Sequence, residues 1–157
     1  MEIAQDSDHI VDEMINCPLF SSLDPDQLNK VAGFMENWNM NSDEVLFEEG
    51  ANGYFMGFVV SGMLKLLKET STGGQTVIGH TRKGDVIGEM SLVDDQQRSA
   101  SAIAAKPTEL LVLKRNQFEV LLEEQPRIGV KLLRSIIRMT SQHLRRTSSA
   151  LADEVTG

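Results

Sequence analysis

The chain has 157 residues, 41% of them hydrophobic, which is enough for one domain with a sizeable core and too apolar for a disordered chain. Aromatic residues make up 5%, with Trp38 the single tryptophan, which argues against a stacking platform for single-stranded nucleic acid. The formal net charge is −8, yet residues 1–49 carry twelve acids against Lys30, and residues 127–146 carry six cations and no acid; acidic N-terminal helices beside a basic C-terminal one, or both solvated, would account for it.

Ile10, Val11, Met14 and Ile15 share one face of a short helix predicted over residues 8–17. The lone Cys17 cannot form an internal disulfide, and the acidic opening carries no secretory signal, so a cytoplasmic setting is expected. Asp24 as N-cap, Pro25 at the first helical position and Gln27 completing a capping box open a second helix, with Leu28, Val31, Ala32 and Met35 along its stripe. From Trp38 the texture changes. Short apolar runs at 45–47, 54–60, 63–67, 76–79, 101–105 and 110–113 read as strands. Between them fall the turn signals Glu49-Gly50, Asn52-Gly53, Ser61-Gly62, Thr72-Gly73-Gly74 and Lys83-Gly84. The longest apolar run, around residues 54–60, is far too short to cross a bilayer.

Asn116, with Glu119 as reciprocal partner, is expected to cap a helix through Glu124, and Gln125-Pro126 breaks it. A long helix follows from Pro126 to about Leu151. Ile128, Leu132, Ile136 and Met139 form one stripe; Val130, Leu133, Ile137, Thr140, Leu144, Thr147 and Leu151 form a second at alternating spacings of three and four. The second stripe either broadens the contact with the domain's own strands or makes a parallel seam in a homodimer, weakened by its two threonines. The fold class is therefore α+β: an antiparallel, jelly-roll-like β-roll flanked by N-terminal helices and a long C-terminal helix. It forms one domain over 1–157, with N-terminal helices in 1–37, the roll in 38–115 and C-terminal helices in 116–151. His9, His80 and His143 are scattered without metal-ligand spacing, so neither a metal, a cofactor nor a cupin-type enzyme is expected.

The segment 84–100 carries the chemistry. Gly84 and Gly88 let the backbone come close to a ligand, and successive N–H groups in such a turn bind anions. Glu89 can accept from ribose hydroxyls, Arg98 can fork two donors onto phosphate oxygens, and Ser99 can add a hydroxyl donor. Ile87-Gly88-Glu89-Met90-Ser91-Leu92 followed by Arg98-Ser99-Ala100 resembles the phosphate-binding cassette of the cyclic-nucleotide-binding domain, the superfamily of the catabolite activator protein and the regulatory subunits of cyclic-AMP-dependent kinase. Gln97 departs from the proline that many members carry there. Glu48-Glu49-Gly50 and Val59-Val60-Ser61-Gly62 match the spacing of the family's β-roll turns.

The resemblance implies a ligand set. Gly88 and Ala100 would act through backbone N–H groups, joined by the amides of Met90 and Ser91 at the start of the cassette helix. Glu89, Arg98 and Ser99 would hold the sugar and phosphate. Leu66, Ile78 and Gly79, reached by counting back along the family pattern, would floor the base, or be plain core. Thr140, His143 and Thr147 would meet a purine edge from the long helix. The implied function is a non-enzymatic sensor whose ligand is a cyclic nucleotide. Cyclic AMP is favoured over cyclic GMP because Arg-Ser-Ala resembles the catabolite activator's own run. Binding would reposition the helices after Leu113 and control an unidentified downstream protein. The alternative is the ligand-binding part of a catabolite-activator-type transcription regulator lacking its DNA-binding domain; direct DNA reading by this chain is not expected.

Overall fold

The Asp24 signal does open a helix in the computed structural model, which describes residues 1–156. Asp24 Oδ1 accepts from Gln27 N at 2.8 Å, and Asp24 N donates to Gln27 Oε1 at 3.1 Å. This helix, α2 (Pro25–Ala32), follows α1 (Ser7–Met14), which Asp6 caps through the backbone N–H of His9. Among the described residues nine strands follow or precede them: β1 (Glu2–Ala4), β2 (Met35–Met40), β3 (Val45–Phe47), β4 (Phe55–Ser61), β5 (Met63–Glu69), β6 (Gln75–Arg82), β7 (Val86–Ile87), β8 (Ser101–Ala104) and β9 (Thr108–Lys114). The chain closes with α3 (Arg115–Glu124) and α4 (Pro126–Thr156).

All strand pairs are antiparallel, in two sheets of order β1-β2-β9-β4-β7 and β3-β8-β5-β6. The sheets enclose one core inside the roll, built on Trp38, Phe55, Val59, Leu64, Leu110 and Val112. A second core lies between the five-stranded sheet and the helices, where Phe58, Leu111 and Leu113 meet Ile10, Met14, Leu28, Phe118, Leu132 and Ile136. Strand β9 is thus covered on both faces. Its run Leu110–Leu113 carries no alternation because neither face meets water. The α+β roll with a long terminal helix is the expected architecture.

Several boundaries differ from expectation for physical reasons. Residues 1–37 hold β1 and the start of β2 as well as helices. Met35 belongs to β2 rather than to the α2 stripe. The polar Glu36, Asn37 and Asn39 mask this strand in the sequence. Asn37 is buried, donating to Glu109 Oε1 at 2.7 Å and accepting from Asn39 Nδ2 at 2.7 Å, so its polar groups are satisfied inside the sheet. His9 from α1 bonds the same Glu109 oxygen. β1 is short and exposed, anchored by the N-terminal ammonium on Glu44 at 2.8 Å. β6 extends well beyond 76–79, because an edge strand with one solvated face needs little apolar content. Asn116 does not cap α3: Lys114 is the N-cap, without a side-chain bond, and the helix starts at Arg115. α4 runs past Leu151 to Thr156. No helix among the described residues is long and apolar enough to cross a membrane.

Candidate phosphate-binding site

The site begins with two turns that only glycine makes easily. Gly84 and Gly88 have φ of 91° and 75°. β7 pairs with β4 through Gly57↔Ile87 and Phe58↔Val86, which brings Gly88 over the Phe55 carbonyl. A Cβ on Gly88 would stand 2.3 Å from Arg98 Nη1 and 3.1 Å from Phe55 O, so a side chain there would displace the Arg98 guanidinium and press on the Phe55 carbonyl. Glu89–Leu92 then form a single 3-10 turn anchored by Leu92 in the helix-side core. Ser91 N donates to Gly88 O at 3.0 Å, so of the four amides expected at a phosphate, those of Gly88, Met90, Ser91 and Ala100, that of Ser91 is engaged inside the turn.

Arg98 is fixed at both backbone ends. Its N–H donates to Ala51 O at 2.7 Å and its carbonyl accepts from Gly50 N at 2.8 Å. The side chain is 8% exposed. Its guanidinium carbon lies 4.1 Å from the Phe47 ring centre and 4.8 Å from that of Phe55, and Nη2 donates to Phe55 O at 2.8 Å. Nε has no partner, and no carboxylate pairs with Arg98 among the described residues. Burial lowers the proton affinity of this guanidinium, Tyr54 opposes that shift, and the nearby Arg115 adds to it. A buried cation with one neutral hydrogen bond and two ring faces is under-compensated, which is the environment that attracts an anion.

The remaining predicted positions fall into separate groups. Glu89 and His143 line one cleft of about 310 Å³ together with Thr81, Asp85, Met139 and Arg146. Met90 receives a hydrogen bond on Sδ from Thr140 Oγ1 at 3.1 Å, and both line an apolar groove with Leu133, Ile137 and Leu144. Ser99 is exposed, and its carbonyl accepts from Lys68 Nζ at 2.8 Å, tying the cassette to β5. Ala100 is buried. Leu66 pairs with Gly79 across β5 and β6 and packs on the inner-roll core. Ile78 is the extra residue of a bulge between the Leu66↔Gly79 and Leu67↔Val77 pairs, 55% exposed on the edge strand. Thr147 is exposed, its hydroxyl donating to His143 O. No group of three or more potential metal ligands occurs among the described residues.

Sequence reasoning missed Phe47 and Phe55, whose ring faces flank Arg98, because strand aromatics read as plain core. It missed Gly53, where a Cβ would stand 2.3 Å from Ser91 Oγ, beyond its role as a turn former. It also missed Arg115, which bonds Ser91 O, Asp95 and Gly53 O.

This arrangement has relatives. A family profile described as the cyclic nucleotide-binding domain matches residues 38–125. Over 125 residues the chain is 30% identical to the cyclic AMP receptor protein of Thermus thermophilus, covering 80% of this chain and 58% of that protein. Over 104 residues it is 32% identical to the lysophospholipase nte1 of Neurospora crassa, covering 66% of this chain but 7% of that one. The chain therefore spans little more than half of the first relative and a small part of the second. The crystal structure of a cyclic nucleotide-binding domain from Methylobacillus flagellatus KT superposes with a TM-score of 0.78 at 25% identity, over 94% of this chain and 83% of that chain. With the profile spanning more than half of the sequence, cassette included, the chain belongs to the cyclic nucleotide-binding domain family.

Proposed function

We propose that the chain is a cytoplasmic, non-catalytic sensor module that binds a cyclic nucleotide, cyclic AMP before cyclic GMP, and transmits occupancy through its C-terminal helices to a downstream protein. The observation that carries this reading is Arg98: a buried cation with an unpaired Nε, beside a glycine turn that leaves room for nothing but backbone. A cyclic phosphate would supply the missing counter-charge and acceptors. Glu89 would accept from the ribose hydroxyl, and Ser99 would add its hydroxyl. Contacts of Met90 with Thr140, and the cleft shared by Glu89 and His143, support a link from cassette to α4. Nucleotide would favour whichever arrangement of these contacts it binds better. The compartment agrees with a lone thiol, Cys17, whose burial pushes its pKa up to about 12 and keeps it inert.

Glu89→Gln tests the ligand chemistry. An amide oxygen still accepts, but less strongly than a carboxylate, so affinity for cyclic AMP should fall several-fold while affinity for the 2′-deoxy analogue barely changes. Equal losses for both ligands, measured by calorimetry, would remove Glu89 from the sugar site.

The reading extends to a homodimer. Val130, Ile137, Leu144 and Leu151 follow heptad spacing on α4 and are 48, 66, 64 and 60% exposed. A parallel seam with a second copy would cover them, weakly, because Thr140 and Thr147 interrupt it. Leu144→Asp should give monomers, since a carboxylate would be buried against its symmetry mate. Sedimentation over a dilution series checks this. A wild-type chain that stays monomeric at high concentration, with and without nucleotide, contradicts the seam.

A second reading has a specific observation in its favour. The chain spans 58% of the Thermus thermophilus receptor, so it would equally serve as the ligand-binding part of a catabolite-activator-type transcription regulator. The mass of the protein isolated from its native source separates the two: 17.4 kDa supports the sensor module, a larger chain the regulator.

A further inference from the structure

Glu109 is the one acid of β9, and it alternates with Leu111 and Leu113 on the face that meets the helices. Its Oε1 accepts from Asn37 Nδ2 at 2.7 Å and from His9 Nε2, and Asn37 Oδ1 accepts in turn from Asn39 Nδ2 at 2.7 Å. An ionised carboxylate has no proton to give, so the imidazole carries its proton on Nε2. This chain of bonds joins α1 to β9 and β2 through polar groups, at the edge of a contact that is otherwise apolar: Ile10 and Met14 of α1 are buried.

His9 lies in the first turn of α1, where its backbone N–H completes the Asp6 cap. Protonation of its ring puts a cation at the positive end of the helix dipole, a location that disfavours it. Glu109 reverses that balance. The hydrogen bond from Glu109, then its charge and those of Glu13 and Asp6, raise the His9 pKa above its usual value, against the opposing effect of burial. The other charges on α1 and the elements around it are Asp8 and Asp12 of α1 itself, Asp26 and Lys30 of α2, which pair with each other, Glu36 of β2, held by Lys114 and the Trp38 indole, and the exposed Glu2 of β1. None of these is among the groups that shift His9.

We propose that His9 and Glu109 form a pH-sensitive latch that fastens the first turn of α1 to the helix-side face of β9, tighter when the imidazole is charged. Because the folded chain holds the His9 proton more firmly than the unfolded chain does, the latch is at full strength below the usual imidazole value of about 6.5. Its extra stability is lost as pH rises through the raised folded value. A neutral Nε2–H still donates to Glu109, but without charge assistance. Ile10 and Met14 remain buried, so the result is a looser first turn and not a detached helix. The latch involves no ligand and stands apart from the nucleotide reading.

Proton NMR titration and hydrogen–deuterium exchange of the ligand-free chain test the latch. The His9 imidazole resonance, assigned by its absence in His9→Gln, should titrate above about pH 6.5 in the wild type and move toward that value in Glu109→Gln. Protection of amides 9–14, corrected for the intrinsic pH dependence of exchange, should fall several-fold in the wild type between about pH 6 and pH 8.5, while the β5–β6 hairpin stays constant. His9→Gln keeps a donor but has nothing to titrate, so its protection at 9–14 should not follow pH. Equal titration midpoints in the wild type and Glu109→Gln overturn the latch. So does wild-type protection at 9–14 that does not change with pH, or a fall of the same size in His9→Gln. Should Glu109→Gln fail to fold, the comparison of the wild type with His9→Gln, a substitution at a partly exposed position, still decides.

Discussion

Arg98→Ala is expected to weaken cyclic AMP binding by about 2–4 kcal/mol, roughly thirty- to a thousand-fold in Kd, while the chain stays folded. The loss follows from the removal of the one buried cation at the site. Arg98 is the buried cation there; Lys68, held on the Ser99 carbonyl, and Arg146, in the cleft with Glu89, are exposed, so neither replaces a buried fork on the phosphate. The effect on the ligand-free fold works in the opposite direction. The guanidinium packs between Phe47 and Phe55, and that contact is lost, but so is a buried charge holding one hydrogen bond. The two should nearly cancel, leaving stability within about 1 kcal/mol of wild type. Calorimetric titration and urea denaturation of the same preparation read both quantities. An unchanged Kd in a folded variant would dissociate Arg98 from ligand binding.

Gly62→Ala should be the most damaging conservative change to the fold, costing on the order of 3–5 kcal/mol. Gly62 is the single residue between β4, in the five-stranded sheet, and β5, in the four-stranded one. Its φ is 93°, and a Cβ would stand 2.4 Å from Pro107 O and 2.6 Å from Thr108 Cα. Both obstacles are backbone, so no rotamer change relieves them. Thr108 cannot withdraw either, since its hydroxyl accepts from Met63 N at 3.1 Å and holds the corner. Gly50 is the control. Its φ is 86°, but a Cβ there meets nothing within 4 Å, so Gly50→Ala should cost only the backbone strain, about 1–2 kcal/mol. Equal shifts in the urea midpoint for the two variants would contradict the steric account.

Particular residues show what was legible in the sequence. The capping box at Asp24 and Gln27 is local chemistry and forms as read. The roll is legible because most of its strands are short apolar runs closed by glycine turns. β2 was not, because its buried Asn37 is paid for by Glu109, which lies 72 residues away in sequence, a partner that no window along the chain contains. The start of α3 was misread for a related reason: Asn116 has the right chemistry for a cap, but Arg115 is held by three distant acceptors, and the helix starts two residues earlier, with Lys114 as its N-cap. At the candidate site the glycines and Arg98 stand out by residue type and spacing. The aromatic faces that flank Arg98 do not, since a phenylalanine in a strand has the same appearance whether it packs on leucine or on a guanidinium. Exposure was equally hidden: Ile78 suits a base-stacking floor by type, yet a bulge turns it out on the edge strand.

Calorimetric titration of the wild-type chain with cyclic AMP, cyclic GMP and a cyclic dinucleotide tests the central claim most directly. The account predicts saturable binding of one cyclic AMP per chain, tighter than cyclic GMP, with the dinucleotide excluded because its second phosphate has no counterpart to Arg98. Absence of binding heat, and of any rise in melting temperature, with either cyclic mononucleotide at millimolar concentration would contradict it.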